Sequence, residues 1–301
     1  MEIIPVVPRG YCKGVVRAIN MARHAAEQYP DKPITMLGMI VHNKYVVNAC
    51  KALNIQCVEG KKTRLELLDD IDEGVVIFTA HGVSDAVRQK AEAKGLIVMD
   101  ATCTDVEKTH NIVKKALNEG KCIIYIGKKD HPEAEGVASL SEDIHLISSV
   151  DEVKNLSLSK PILITNQTTM SITEIKTIID ACMERYPDAI LNDEICNATR
   201  IRQEAIMKLE DMDVLFVVGD PHSNNSAKLR DIAISHGIPD VYMIEDHLEI
   251  KEEYIKNKER IGITSGASTP TYITEKVISS LRQYAESRTL SSEPIDLSRI
   301  L

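Results

Sequence analysis

The strongest constraint on this chain is a cysteine that recurs about every 90 residues, at Cys12, Cys103 and Cys196, always where an apolar run gives way to a helical pattern. EIIPVVPRGYC, GLIVMDATC and AILNDEIC each end on the sulfur, and KGVVRAINMARHAAEQ, TDVEKTHNIVKKALNEG and NATRIRQEAIMKLE follow. Two thiols invite a disulfide and four close a structural metal site, whereas three on one inorganic centre leave a position open for chemistry. Runs of four to eight apolar residues alternate with helical periodicity along the whole chain, which predicts α/β units with mostly parallel strands. The repeat is far longer than a solenoid period. The expected fold is therefore three small α/β domains arranged around a pseudo-threefold axis. Residues 1–100 carry Cys12, 101–194 carry Cys103 and 195–285 carry Cys196, with a tail at 286–301 that either straps across another domain or stays mobile.

Other polar residues fall into register with these cysteines. Beyond each helix comes a second strand end, with His42 in ITMLGMIVHN, His131 and Glu133 in CIIYIGKKDHPEAEG, and Ser223, Asn224, Asn225 and Ser226 in VLFVVGDPHSNNS. A third follows, with His81 in VVIFTAHGVS, Thr168 and Thr169 in ILITNQTTMS, and Ser268 in IGITSGASTP. Ligands of parallel sheets collect outside the C-terminal strand ends, where helix N-termini offer amide donors. A thiol at a helix N-terminus is favoured as thiolate and suits a metal, while Cys50, Cys57, Cys122 and Cys182 have no counterparts and read as packing residues. Three histidines in equivalent places suggest an anion pocket. His24, His110, His145, His236 and His247 read as ordinary helix or connector residues. Glu133, two residues from His131, is either a proton carrier or a first-turn carboxylate facing the helix dipole. The serine and asparagine cluster is either a set of turns or a phosphate cradle, with Arg9 and Lys44 as candidate charge partners. Thr104 with Glu107, and Ser171 with Glu174, have capping-box spacing.

Composition narrows the classes. The 301 residues include no Trp and two Phe, so the core must come from aliphatic side chains, and a net charge of −9 without a basic cluster gives no footprint for nucleic acid. No apolar run approaches the ~20 residues that span a bilayer. The N-terminus has no signal-peptide pattern, and an odd set of seven cysteines fits a reducing compartment. A cytoplasmic protein without membrane contact is expected. Neither a Rossmann GxGxxG nor a Walker GxxxxGK[ST] is present, so a redox enzyme of this kind would draw electrons from another protein. The residues alone leave open a different three-cysteine cluster enzyme such as a quinolinate synthase, a zinc hydrolase, and a non-catalytic iron-sulfur sensor or anion-binding protein.

PRGYCKGV, GMIVHNKYVV, FTAHGVS, DATCTDVEKTH, GKKDHPEAEG, TNQTTMS, EICNATRIRQEA, GDPHSNNS and SGASTP, in that order from about residue 3 to about 280, together resemble the 4-hydroxy-3-methylbut-2-enyl diphosphate reductase family. The resemblance implies a three-lobed protein with one 4Fe-4S cluster held by Cys12, Cys103 and Cys196, its fourth iron open to the substrate hydroxyl. It implies a diphosphate pocket of His42, His81, His131, Ser223, Asn225 and Ser268, with a donor at Asn224. Thr168 and Glu133 match residues that orient the hydroxyl and supply its proton, with His131 on the proton path, and Gln167 matches a position that organises this network. An external donor protein, such as a ferredoxin or flavodoxin, is implied for the electrons. Asn224 stands where many members have serine, Lys13 where they have a small or aromatic residue, and Ser265 where alanine is common.

Overall fold

The runs VVIF, CIIYI and VLFVV have no polar face, and a strand apolar on both sides needs sheet neighbours beside it and cover above and below. The computed structural model describes residues 1–60 and 62–301 and buries all three runs inside parallel sheets. The chain begins with β1 (Glu2–Pro5), then α1 (Lys13–Gln28), β2 (Ile34–Leu37), α2 (Lys44–Ala52), β3 (Ile55–Val58), α3 (Arg64–Leu67), β4 (Val75–Phe78), α4 (Asp85–Ala93) and β5 (Ile97–Asp100). It continues through α5 (Thr104–Asn118), β6 (Cys122–Ile126), α6 (Pro132–Ala138), β7 (Ile144–Ile147), α7 (Val150–Lys154), β8 (Ile162–Asn166), α8 (Ile172–Arg185) and β9 (Ile190–Leu191). The last stretch holds α9 (Asn197–Met207), β10 (Val214–Val218), α10 (Asn224–Ser235), β11 (Asp240–Ile244), α11 (Glu252–Ile255), β12 (Arg260–Ser265) and α12 (Thr271–Ser287).

Among the described residues these strands form three four-stranded parallel sheets, ordered β3-β2-β4-β5, β7-β6-β8-β9 and β11-β10-β12-β1. Read from each cysteine onward, the order is the same: second, first, third, fourth. The strand that ends at a cysteine thus completes the sheet before it. By this rule β1 belongs with the C-terminal strands, and it pairs with β12, Ile4 opposite Gly262. The strand leading to Cys12 is thus not part of the sheet of residues 34–100. The edge of β12 is filled by EIIP, which pairs with it in parallel.

The chain divides into two compact units. One unit comprises Met1–Val16, His42–Ala49 and Asn197–Leu301, and the other Arg17–Val41 and Cys50–Cys196. In the second unit alternate residues of β6 point to opposite faces. Ile123 and Tyr125 pack with Val113, Ala116, Ala134 and Val137, and Cys122, Ile124 and Ile126 pack with Ile175, Ile178 and Cys182. Cys122 and Cys182 are thus core residues. In the first unit Leu215 and Val217 of β10 pack with Ile206 of α9 and Leu229, Ile232 and Ala233 of α10. Several helices stop in one way. Gly95 and Gly237 take φ of +72° and +90° after α4 and α10, letting Leu96 N and Ile238 N donate back to Ala91 O and Ala233 O. The tail is a strap within its own unit: Ser291 N donates to Ser280 Oγ (3.1 Å), Arg299 lies over the Tyr272 ring, and Tyr11 Oη donates to the carbonyl of buried Ile300 (3.0 Å).

Deleting residues 1–6 should strip protection from the amides of β12 while leaving those of β2, β4 and β5 slow. Hydrogen-exchange mass spectrometry reads this directly, and equal loss in both sheets would contradict the assignment of β1.

Candidate active site

Each of the three cysteines immediately precedes a helix, and each main-chain amide is anchored in the same way. Cys12 N donates to Ala267 O (3.2 Å), in the loop after β12. Cys103 N donates to Ala80 O (3.0 Å) after β4, and Cys196 N to Thr168 O (3.1 Å) after β8. All three side chains are half-buried thiols. Cys103 is itself the N-cap of α5, with no capping bond from its sulfur, so the capping box expected of Thr104 and Glu107 does not form: the helix starts one residue earlier. The Ser171 hydroxyl does cap α8, accepting from Glu174 N.

The approach to the sulfur differs between copies. Before Cys103 the Asp100 carboxylate accepts from Thr102 N (2.9 Å) and meets Arg88. Burial pushes the Asp100 pKa up, but the bonds from Thr102 and Arg88 outweigh it and hold the pKa low. Before Cys196, Asp193 Oδ1 accepts from Ile195 N (2.9 Å). Buried Glu194 accepts from Lys108 of α5 (3.0 Å), which ties the helix after Cys103 to the loop before Cys196. Before Cys12 the turn passes through Gly10 at φ +75°, whose amide donates to Ser265 Oγ and whose carbonyl accepts from the buried Arg202 guanidinium, both at 2.7 Å. Ser265, met in the sequence only as a departure from alanine, is thus a fixing point for this loop.

Glu133 lies in the first turn of α6 and is 1 % exposed. Its Oε1 accepts from Thr168 N (2.7 Å) and faces Tyr125 Oη (3.5 Å), while its Oε2 meets Thr168 Oγ1 (2.9 Å). Burial pushes its pKa up to about 7, against the lowering effect of the Thr168 and Tyr125 bonds. His131 is the N-cap of this helix, its Nδ1 accepting from Glu133 N (3.2 Å), which leaves Nε2 to carry the proton. The His81 ring meets the His131 ring edge-on at 5.5 Å between centroids. Gln167 spans two loops, accepting from Lys128 N and donating to Thr169 Oγ1, both at 2.9 Å.

In the first unit Ser223 caps α10, accepting from Ser226 N (3.4 Å), with Asn224 and Asn225 in the first turn. The first amides of a helix have no intrahelical acceptor and favour an anion. Among the described residues, both polar atoms of the buried Asn225 side chain lack a partner. Such a group costs stability unless something else satisfies it. Ser268 Oγ lies 3.4 Å from Ser223 Oγ and donates to His42 O (3.1 Å), fixing His42 ahead of α2, which Asn43 starts by accepting from Tyr45 N (3.0 Å). Gly219 and Gly266 let α10 come this close: a Cβ at either would lie 2.4 or 2.0 Å from Ser226 Oγ. Arg9 and Lys44 do not serve as charge partners for an anion, because each already pairs with a carboxylate, Arg9 with Glu275 and Lys44 with Glu245.

A carboxyl pKa of about 7 has a consequence for stability. Its ordinary value is 4.5. The folded form therefore binds the proton more tightly than the unfolded one, and the stability present below the ordinary value is lost as pH rises through about 7. Glu133→Gln removes this dependence, so the variant should gain in melting temperature over the parent between about pH 5 and about pH 8. Thermal melts at the two pH values measure it, and a constant difference would contradict the raised pKa.

The LytB protein family profile matches residues 3–282. The 4-hydroxy-3-methylbut-2-enyl diphosphate reductase of Brevibacillus brevis is 46% identical over 292 residues, covering 95% of this chain and 93% of the relative. The enzyme of that name from Bacillus cytotoxicus is 47% identical over 288 residues, covering 94% and 91%. Among solved structures, the E-1-hydroxy-2-methyl-but-2-enyl-4-diphosphate reductase from Plasmodium falciparum superposes with a TM-score of 0.88 at 29% identity, covering 97% of this chain and 93% of that one. A second, described as (E)-4-hydroxy-3-methyl-but-2-enyl diphosphate reductase, the terminal enzyme of the non-mevalonate pathway, gives 0.66 at 29% identity, covering 94% and 100%. With a family match over nearly its whole length and relatives this similar, the chain belongs to the LytB protein family.

Proposed function

We propose that this chain reductively removes the allylic hydroxyl of (E)-4-hydroxy-3-methylbut-2-enyl diphosphate, giving isopentenyl and dimethylallyl diphosphate as the last step of the non-mevalonate isoprenoid precursor pathway. The names of its full-length relatives support the substrate. The observation that carries the chemistry is the buried Glu133 carboxyl, with its pKa near 7, locked to Thr168 beside two imidazoles.

The donor set fits a 4Fe-4S cluster with three protein ligands. Thiolates are the cluster's own ligand type, and Cys12, Cys103 and Cys196 share one main-chain anchor and one place before a helix. Burial pushes the thiols of Cys50, Cys57 and Cys182 up to about 12, 12 and 11 and keeps them protonated. When bound, such a cluster supplies electrons one at a time and a coordination position that no side chain fills. The electrons come from an external ferredoxin or flavodoxin. Seven thiols fit a reducing compartment, and we place the enzyme in the cytoplasm; no helix among the described residues is long and apolar enough to cross a membrane.

The reaction takes two electrons and two protons: one proton leaves with the hydroxyl as water, and the other ends on carbon at either end of the allyl fragment, giving the two products. The diphosphate is held by His42, His81 and His131, by the hydroxyls of Ser223 and Ser268, by the Asn225 amide and by the first amides of α10 at Asn224. Thr168 N occupies Glu133 Oε1, so the proton of the neutral acid sits on Oε2, facing Thr168 Oγ1. From there it passes to the threonine hydroxyl as Thr168 donates its own proton to the departing oxygen. His131, whose Nδ1 is engaged by Glu133 N, keeps an Nε2 donor for the same substrate.

The test is anaerobic purification, iron and sulfide analysis, and dithionite-dependent consumption of the allylic diphosphate. Cys12→Ser, Cys103→Ser and Cys196→Ser should each abolish turnover, whereas Cys122→Ser should at most lower stability. Glu133→Gln should keep substrate binding and slow turnover roughly 100-fold or more, the usual scale of a lost general acid. In the parent, the rate should fall as pH rises through about 7, where Glu133 gives up its proton. A protein with full iron content that leaves the allylic diphosphate unconsumed would overturn the reading.

A further inference from the structure

Arg64 is a buried cation without an anion. Its side chain enters from the first turn of α3, where Thr63 and Glu66 form a reciprocal capping box, and only 6 % of it is exposed. Nη1 donates to Gly82 O and Nη2 to Thr79 Oγ1 (2.8 Å). The guanidinium also lies against Gly38, at φ +88°, where a Cβ would sit 3.5 Å from Nη2. Among the described residues no carboxylate forms an ion pair with it. Burial pushes its pKa down to about 10, with only a partial counter-effect from Glu135. A lone buried charge is among the more costly things a fold can contain, and an apolar substitute of similar volume is often neutral or better.

All its bonds go to the loop that carries His81. The Thr79 hydroxyl accepts from Arg64, so its own proton is available to His81 Nδ1, 3.3 Å away. With that proton given to Nδ1, the ring carries its own proton on Nε2. We propose that Arg64 is the positioning residue and buried counter-charge of the anion pocket: through Thr79 it fixes His81 as an Nε2–H donor, and through Gly82 O it holds the loop. The chain carries a net charge of −9, and Arg9 and Lys44 are neutralised by carboxylates. Arg64 thus supplies positive charge that the diphosphate needs and cannot draw from the surface. This inference rests on the allylic diphosphate reading above.

The experiment uses the cluster-loaded protein and two ligands, inorganic diphosphate as a competitive probe and the allylic diphosphate as substrate. Arg64→Met should raise both the Ki of inorganic diphosphate and the KM of the substrate by about tenfold or more, the scale of one charge-assisted interaction. Its kcat should change less than about threefold and its iron content not at all, with the melting temperature held or raised. Thr79→Val, nearly isosteric, should shift KM and Ki in the same direction, and Thr79→Ser should restore them. Unchanged KM and Ki in both Arg64→Met and Thr79→Val would overturn the proposal, as would a fall in kcat with KM constant. If the parent enzyme neither binds diphosphate nor consumes the substrate, the functional reading itself fails and takes this inference with it. Parent activity with unaffected variants defeats the inference alone.

Discussion

Three main-chain hydrogen bonds, from the amides of Cys12, Cys103 and Cys196 to the carbonyls of Ala267, Ala80 and Thr168, fix the three cysteine turns in the same way. Each joins the turn before a helix to the loop after a neighbouring parallel strand. The bond is made by the backbone, so it fixes each cysteine independently of what its sulfur binds. The side-chain bonds around it then differ: an aspartate three residues before Cys103 and before Cys196, and a serine with a buried arginine at the glycine turn before Cys12. The repeated part is the part the sheets impose. The rest adapted locally.

Around these anchors the protein handles charge by burial rather than by surface cations. Thr168 satisfies both oxygens of Glu133, yet desolvation outweighs those bonds and holds the acid near neutrality. Asn225 is buried with its amide unsatisfied among the described residues, and Ser223, Ser268 and His42 are linked into one short chain of contacts. Neutral donors and helix amides bind an anion without the salt sensitivity of an exposed lysine patch. The two exposed-looking candidates, Arg9 and Lys44, are occupied in holding their own unit together.

Much of this was legible in the chain because it repeats. Apolar runs such as VVIF and CIIYI mark interior strands, and the cysteines, histidines and polar loops follow strand ends in the same order each time. Where the reading failed, the cause was non-local. Nothing in EIIP says that its partner is β12, more than 250 residues away, since the pairing of an edge strand is set by the sheet it joins and not by its own sequence. A single arginine among KKTRLELL reads as surface charge until its burial is seen. Ser265 was met in the sequence only as a departure from alanine, because the bond it accepts comes from distant Gly10. By contrast, Asp100 and Asp193 could have been found, as DATC and DEIC share an aspartate at one offset.

The pairing of the first strand with the last has a consequence for synthesis on the ribosome. β1 emerges long before β12 and cannot take its place until β12 has left the exit tunnel, so until then it is an unclaimed ribbon with open backbone groups. At four residues, with a proline at its end, that ribbon is short enough to offer other chains little to pair with. The C-terminal sheet is therefore the last to close, after the other two have had time to form, and the loop bearing Cys12 receives its final shape only then.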